Sequence, residues 1–277
     1  MTTADAPTSH RPGTPLSEHR PATRSPAHDV RAVLSALRSE WIKASTVRAN
    51  AAIVVFALVG GLLVSWAVAT FVTDEVLVVA EVGFYWTSVT GMLAAIGGVL
   101  LFGSEVQHGT LAVVVAARPP RWIVALAKTL TATALGLVIG AVGLVAGFGG
   151  AVIAGLDAGD TSSLAATISW ALLFTMLSAV LGLGIGMIVR NSTAAIGGLL
   201  VWGFVVENLL NLFLPVEVAR FLPFFAGNKL LAYNNDFDTA EAIAVALTRP
   251  ESALVFGAYA AVALVVGTVL LYRRDTA

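Results

Sequence analysis

The sequence predicts an all-α polytopic membrane protein, with six transmembrane helices preceded by an amphipathic interfacial helix and with both termini in the cytoplasm. Hydrophobic residues make up 57% of the 277 residues and charged residues only 12%, whereas a soluble domain carries about 25% charged residues. Six windows of 21 to 29 residues hold almost no charge, and about 20 apolar residues suffice to cross a bilayer as a helix. Lys and Arg divide 13 to 3 between alternate connections, which places both termini inside.

The region before the first span divides into two parts. Residues 1–28 are rich in Pro, Ser, Thr, Arg and His without hydrophobic periodicity, which is typical of a disordered cytoplasmic tail. In residues 29–48 the basic and hydroxyl side chains lie opposite an apolar helical face, which consists of Val30, Val33, Leu34, Leu37, Trp41 and Ala44. We therefore expect an amphipathic helix in the cytoplasmic membrane interface, with Asp29 as a candidate N-cap. The alternative is that these residues are only the cytoplasmic start of span one.

The transmembrane domain is expected to cover residues 49–277, with spans at about 51–72, 84–103, 127–154, 163–189, 193–214 and 251–272. Small residues recur at helical packing intervals in the third and fourth spans, at Gly136, Gly140, Gly143, Gly147, Ser178, Gly182 and Gly186. Because lipid gives no hydrophobic drive for helix association, such stripes predict close backbone contact between helices. A pore-lining role for the stripes is the alternative.

The connection between the fifth and sixth spans, the outer segment 215–250, is not polar throughout. Residues 221–225 read Phe-Leu-Pro-Phe-Phe, which is too apolar to extend into water. Asp238 and Glu241 resemble a capping box for a short helix over residues 239–247, and Pro250 suits the first turn of the sixth span. We expect this segment to be partly re-entrant or packed on the outer face.

Signatures of enzymes are missing from the sequence. None of its three lysines follows a glycine, so there is no P-loop, and three of its four histidines lie in the tail. No cysteine is present, which excludes thiolate metal sites and cysteine nucleophiles. The net charge of −1 and the absence of a basic stripe argue against nucleic acid as a partner. We expect no catalytic residue, no metal site and no cofactor bound by this chain.

The most informative stretch joins the second and third spans and forms the predicted coupling element, residues 104–121. Gly109 ends one helix, a short apolar segment follows, and residues 118–121 (Arg-Pro-Pro-Arg) break the chain again. Lys128 is expected to snorkel toward the interface. The alternative is a simple basic connection that only obeys the charge bias between the two sides of the membrane.

This stretch resembles the export-type (type 2) permease family of ATP-binding-cassette transporters. That family has E-x-x-x-G-T, a short apolar helix, a basic-Pro turn and an A-K pair at the start of the third span, matched here by Glu105, Gly109, Thr110, Arg118, Pro119, Arg121, Ala127 and Lys128. The order of elements over residues 29–277 is also similar, including a Leu-Pro pair (Leu222 and Pro223) after the fifth span.

The resemblance implies a permease subunit of an exporter in the cell membrane. Residues 104–121 would then contact a separate ATP-binding-cassette ATPase, which binds the ATP and Mg. The resemblance also implies a second permease, either another copy or a paralogue, and a surrounding of membrane lipid. The permease itself would not be an enzyme.

Glu207 is an acidic residue inside the predicted fifth span, accompanied by Asn208 and Asn211. An ionised side chain in a span costs about 2.5–3.5 kcal/mol by insertion scales, so it should face protein or water. The three residues are therefore candidates for a transport pathway. Alternatively, the span ends early and Glu207 reaches the outer headgroups, or Glu207 accepts from a donor within the bundle.

Two rival functions remain open from the sequence. A secondary transporter would be expected to show inverted repeats and ionisable residues near the midplane. We find no internal repeat, and Glu207 is the one ionisable residue that could serve. A non-transport membrane scaffold or immunity protein would leave residues 103–128 unexplained. The sparse charge of the spans favours an amphipathic or hydrophobic substrate for an exporter.

Overall fold

The computed structural model describes residues 26–73, 75–107, 121–231 and 240–274, which contain helices and no strands. Six of the helices are long and apolar enough to cross a membrane, so the chain is an all-α, multi-pass membrane protein. In the described residues the helices are α1 (Pro26–Thr46), α2 (Arg48–Phe71), α3 (Val79–Val82), α4 (Thr87–Gln107), α5 (Arg121–Ile153), α6 (Leu164–Val189), α7 (Ser192–Val201), α8 (Glu207–Phe213), α9 (Val216–Ala219), α10 (Pro223–Lys229), α11 (Ala240–Ala244) and α12 (Arg249–Arg274).

The six candidate spans are Arg48–Phe71, Val79–Gly103, Trp122–Ile153, Leu164–Val189, Ser192–Phe213 and Arg249–Leu271. Span five consists of α7, a π-helical turn at Trp202–Val206 and α8. Helix α4 runs on to Gln107, so the predicted coupling element begins as a continuation of span two. Residues 108–120 of that element lie outside the described residues.

The helix before the first span differs from the prediction at its start. It already includes Pro26, the first residue that the structure describes, so Asp29 lies inside the helix and is not its N-cap. The rest of the predicted disordered tail lies outside the described residues.

Spans two, three and four form the centre of the bundle. Span two packs along span four most extensively, and span three contacts both of them. Span one packs on span three and span six on span four, whereas span five makes far fewer contacts. Phe174 of span four stacks against Phe256 of span six with ring centroids 5.4 Å apart, and Phe224 of α10 adds a third ring at 6.0 Å from Phe256.

The small residues of spans three and four lie in tight helix seams. A Cβ at Gly136 would come within 2.5 Å of the carbonyl oxygen of Thr175 on span four. Gly143 faces Thr90 of span two, and Gly186 faces the backbone of Val99 on the same span. The helices can approach this closely because glycine has no side chain.

The connection from α1 to span one is a short, fixed corner. Val47 is extended (φ −71°, ψ 118°), and helix α2 begins at the next residue. The buried amide of Asn50 donates from Nδ2 to the carbonyl of Ala44 at 2.8 Å, which joins the first turn of α2 to the last turn of α1. We call the end of the bundle that carries this corner the α1 end.

The opposite end carries the connections after spans one, three and five. Val79 N–H donates to the carbonyl of Asp157 at 2.9 Å, which ties the first of these connections to the second. The apolar residues of the outer segment turn inward, since Pro223, Phe224 and Ala226 are buried, and α10 packs on span six. The short helix predicted at 239–247 is seen at Ala240–Ala244.

Candidate functional site

The residues of the coupling motif are only partly among the described residues. Gly109, Thr110, Arg118 and Pro119 lie outside them. Glu105 lies in α4, two residues before its last described residue, and Arg121 is the first described residue of α5. The two ends of the predicted coupling element therefore continue directly into spans two and three at the α1 end.

Lys128 is the motif residue whose surroundings are best defined, and it does not snorkel. It is 1% exposed, and its Nζ donates to Oε2 of Glu40 on α1 at 2.8 Å. The snorkelling prediction is wrong because a buried carboxylate compensates the charge of the ammonium, which can then leave water. Here α1 packs on span three and supplies the anion.

Glu40 is itself buried, at 5% exposed, and its carboxylate is shared between two lysines. Its other oxygen, Oε1, accepts from Nζ of Lys43, one helical turn along α1, also at 2.8 Å. Burial raises the pKa of the Glu40 carboxyl, but the charges and hydrogen bonds of Lys128 and Lys43 outweigh it, so that the pKa lies below its ordinary value. Glu40 is therefore ionised at neutral pH.

Glu40 is not among the predicted site residues, although the pattern contains a signal for it. Val33, Leu37, Glu40 and Ala44 follow one another at steps of four, three and four, so that Glu40 lies on the apolar stripe. An acid in the middle of an apolar helical face needs a buried cation. The sequence does not show which cation that is, because Lys128 lies 88 residues further along the chain.

Glu207 is fully buried in span five and accepts three hydrogen bonds. The indole Nε1 of Trp202 donates to Oε1 at 2.7 Å, and the backbone N–H of Phe224 donates to the same oxygen at 3.1 Å. The N–H of Phe225 donates to Oε2 at 3.0 Å. No side chain caps the first turn of α10 locally. The free N–H groups of this turn therefore use the carboxylate of Glu207, on another helix, as their acceptor.

A π-helical turn creates this arrangement. The backbone N–H of Glu207 donates to the carbonyl of Trp202, five residues earlier. In a regular α-helix two residues five apart point about 140° away from each other, whereas the wider π turn brings both side chains to one side. The structure thus shows the alternative in which the carboxylate of Glu207 accepts hydrogen bonds from donors within the bundle.

Asn208 and Asn211 do not join Glu207. Both are exposed, and Asn208 donates from Nδ2 to the carbonyl of Phe204 on its own helix at 3.1 Å. Asn211 instead lines a cavity of 270 Å³ at the end of the bundle opposite to the α1 end, together with Arg220, Phe225 and Lys229. The three pathway candidates therefore do not form one cluster.

An apolar groove of 450 Å³ lies between spans four, five and six. It runs from the last residue of span four, Val189, and the start of span five near Ala194 to Phe224 of α10. Two of its lining residues, Trp202 and Tyr259, carry a polar atom on the side chain, and the indole N–H of Trp202 is already bonded to Glu207. The groove can therefore accommodate apolar chains but offers few polar contacts.

Within the described residues no group of three or more His, Asp or Glu side chains could hold a metal ion. No family model matches the chain, and no curated protein shows significant similarity to it.

Proposed function

We propose that this chain is the membrane-spanning permease subunit of an ATP-binding-cassette exporter. It contributes to the translocation pathway and couples, through residues 104–121, to a separate ATPase subunit that binds ATP and Mg. It pairs with a second permease, a copy or a paralogue. The observation that carries the proposal is the motif from Glu105 to Lys128, placed between the second and third of six spans.

The arrangement of the helices supports this proposal. An ATPase partner can drive the spans only through a contact that differs between its two states. The coupling element joins α4 and α5 directly, and both helices belong to the centre of the bundle. A displacement at this element therefore acts on the central spans themselves.

The proposed orientation places the α1 end in the cytoplasm of the cell, on the inner face of its membrane. The charge bias of 13 to 3 supports it. Trp41 and Leu34 of α1 are 42% and 59% exposed, and Arg38 is exposed as well. A helix with aromatic, apolar and basic side chains outside its packed face is suited to the membrane interface.

A secondary transporter is less well supported. Such a protein needs ionisable groups that exchange with ions or substrate near the midplane. Glu207 lies about 22 Å along span five at 1.5 Å per residue, but its carboxylate is fully buried and already accepts three hydrogen bonds. An exporter driven by an external ATPase needs no such exchange.

Reconstitution with an ATPase partner tests the proposal. The tagged chain would be co-expressed with an ATP-binding-cassette ATPase encoded beside its gene, purified and placed in vesicles. We expect a stable complex whose ATP hydrolysis drives export of an amphipathic probe dye. A chain that purifies without the ATPase, or that moves the probe with a proton gradient and without ATP, would contradict the proposal.

Substitutions in the motif sharpen this test. Glu105→Ala and Gly109→Val should each uncouple transport from ATP hydrolysis while the chain still inserts and binds the ATPase. The matched control is Glu217→Ala, which removes an exposed acid from α9 at the opposite end and should leave transport unchanged. Wild-type transport rates in both motif variants would show that residues 104–121 do not couple.

A further inference from the structure

The geometry points to the Glu40–Lys128 ion pair as a positioning contact that makes α1 and span one move with span three when the coupling element is displaced. This inference rests on the proposed function. It assigns Glu40 and Lys128 as positioning residues of the coupling region, and it adds to that region a helix that the sequence analysis assigned to the lipid interface.

The first step is the position of Lys128. Helix α5 is described from Arg121, the last residue of the coupling element, and continues without a break to Ile153. Lys128 lies seven residues after Arg121, about 10 Å along the helix at 1.5 Å per residue. Because a helix transmits displacement along its axis over such a distance, any movement of residues 104–121 that shifts the start of α5 also shifts Lys128.

The second step is the strength of the contact between α5 and α1. The side chain of Lys128 is 0% exposed and that of Glu40 is 7% exposed. Apolar contacts have no preferred direction. Separating a buried ion pair, in contrast, takes each charge away from an oppositely charged partner at hydrogen-bond distance and is strongly opposed. The pair therefore fixes the position of α1 on α5 along the helix axis.

The third step leads from α1 to span one. The corner at Val47 is short, and the hydrogen bond from Asn50 to the carbonyl of Ala44 closes it. Span one also packs along span three. Contacts thus lead from α5 to α1 through Glu40, from α1 to α2 through Asn50, and from α2 back to α5 by helix packing. Together they make spans one and three one unit at the α1 end.

Charge variants test whether the pair transmits movement. In the reconstituted complex with its ATPase, Glu40→Gln and Lys128→Met should each lower the transport per ATP hydrolysed by roughly 2- to 30-fold, the range expected for residues that couple two sites. The exchanged pair, Glu40→Lys with Lys128→Glu, should restore it when it is made together with Lys43→Gln, because Lys43 contacts residue 40 and would repel a second lysine there. Arg38→Gln, which removes an exposed charge from the same helix, should have no effect.

A distance measurement on the permease alone separates this inference from the proposed function. Since the chain has no cysteine, spin labels can be attached at Ser39 and Leu130, which are both exposed. We expect one narrow distance distribution in the wild type and in the exchanged pair, and a broad one in Glu40→Gln.

Three outcomes would overturn the inference. A narrow distribution in Glu40→Gln would show that the pair does not position α1. A broad distribution with wild-type transport per ATP would show that the pair only anchors α1 and transmits nothing. Single variants that lose coupling but are not rescued by the exchanged pair would assign the loss to packing. Failure of the wild-type chain to bind any ATPase would instead refute the proposed function, and with it the coupling role, whatever the distances show.

Discussion

Trp202 and Glu207 are hydrogen bonded to each other twice. The backbone N–H of Glu207 donates to the carbonyl of Trp202, and the indole Nε1 of Trp202 donates back to Oε1 of Glu207 at 2.7 Å. The two bonds close the π turn of span five from both sides. They also direct the carboxylate toward the first turn of α10, where two further N–H groups donate to it.

Removing the carboxylate of Glu207 should detach α10 from span five. Glu207→Ala leaves the backbone N–H groups of Phe224 and Phe225 and the indole N–H of Trp202 without their acceptor. Each unsatisfied buried donor costs about 1–3 kcal/mol. We expect a clear fall of the thermal unfolding midpoint in lipid nanodiscs, whereas Asn208→Ala, at an exposed neighbour, should change it little. Equal midpoints for the two variants would contradict this account.

Glu207→Gln separates a structural role from a role in the pathway. The glutamine oxygen can still accept from the backbone of α10, but its amide group adds a donor where the carboxylate only accepts. If Glu207 only holds α10, transport and stability should fall together. If it also lines a water-accessible path, transport should fall further than stability does, in a variant that still inserts and binds the ATPase.

The Glu40–Lys128 pair should stabilise the α1 end at neutral pH and lose this effect in acid. Removing one partner of a buried pair costs about 3–5 kcal/mol, so Glu40→Gln should lower the unfolding midpoint at pH 7. Because the folded-state pKa of Glu40 is lowered, its stabilisation is fully present above the unfolded-state value of about 4.3 and is lost as the pH falls through the lower folded-state pKa. The difference between wild type and variant should therefore be constant from pH 7 to pH 5 and shrink below about pH 4. A difference that does not change with pH would contradict the ionised pair.

The seam between spans three and four should not tolerate a side chain at Gly136. Its Cβ would come within 2.5 Å of the carbonyl oxygen of Thr175, and overpacking of this kind costs about 1–3 kcal/mol. We expect Gly136→Val to lower the unfolding midpoint. Gly149→Val is the control on the same helix, because a Cβ there meets nothing within 4 Å. A larger loss in the control than at Gly136 would show that the seam is not tight.

The topology can be tested with single cysteines in this cysteine-free chain. Ser9→Cys and Asp275→Cys should react with an impermeant thiol reagent only from the cytoplasm, and Asp236→Cys only from outside, because Lys and Arg divide 13 to 3 between the two sides. Labelling of the cysteines at 236 and 275 from the same side would refute the single crossing between them, and with it the six-span topology.

The existence of the spans could be predicted from the sequence because it depends on local composition. A run of apolar residues such as 252–272 has to leave water wherever it lies in the fold, and the helix Arg249–Arg274 includes it. The N-cap of α1 was predicted wrongly, because the exact end of a helix depends on one or two residues. The motif residues could also be recognised in the sequence, but their proposed function comes from the resemblance to a known family and not from their physical properties.

The class of molecule could therefore be predicted from the residues alone: six apolar helices, a further helix before them, and close packing along the small residues of spans three and four. The partners of the buried charges, in contrast, are visible only in the folded chain. Lys128 meets Glu40 across 88 residues, and Glu207 meets the first turn of α10 across 17 and 18 residues. Apolar burial follows local composition and has no direction. A buried charge, in contrast, needs one particular partner at hydrogen-bond distance, and only the packing of the helices brings that partner to it.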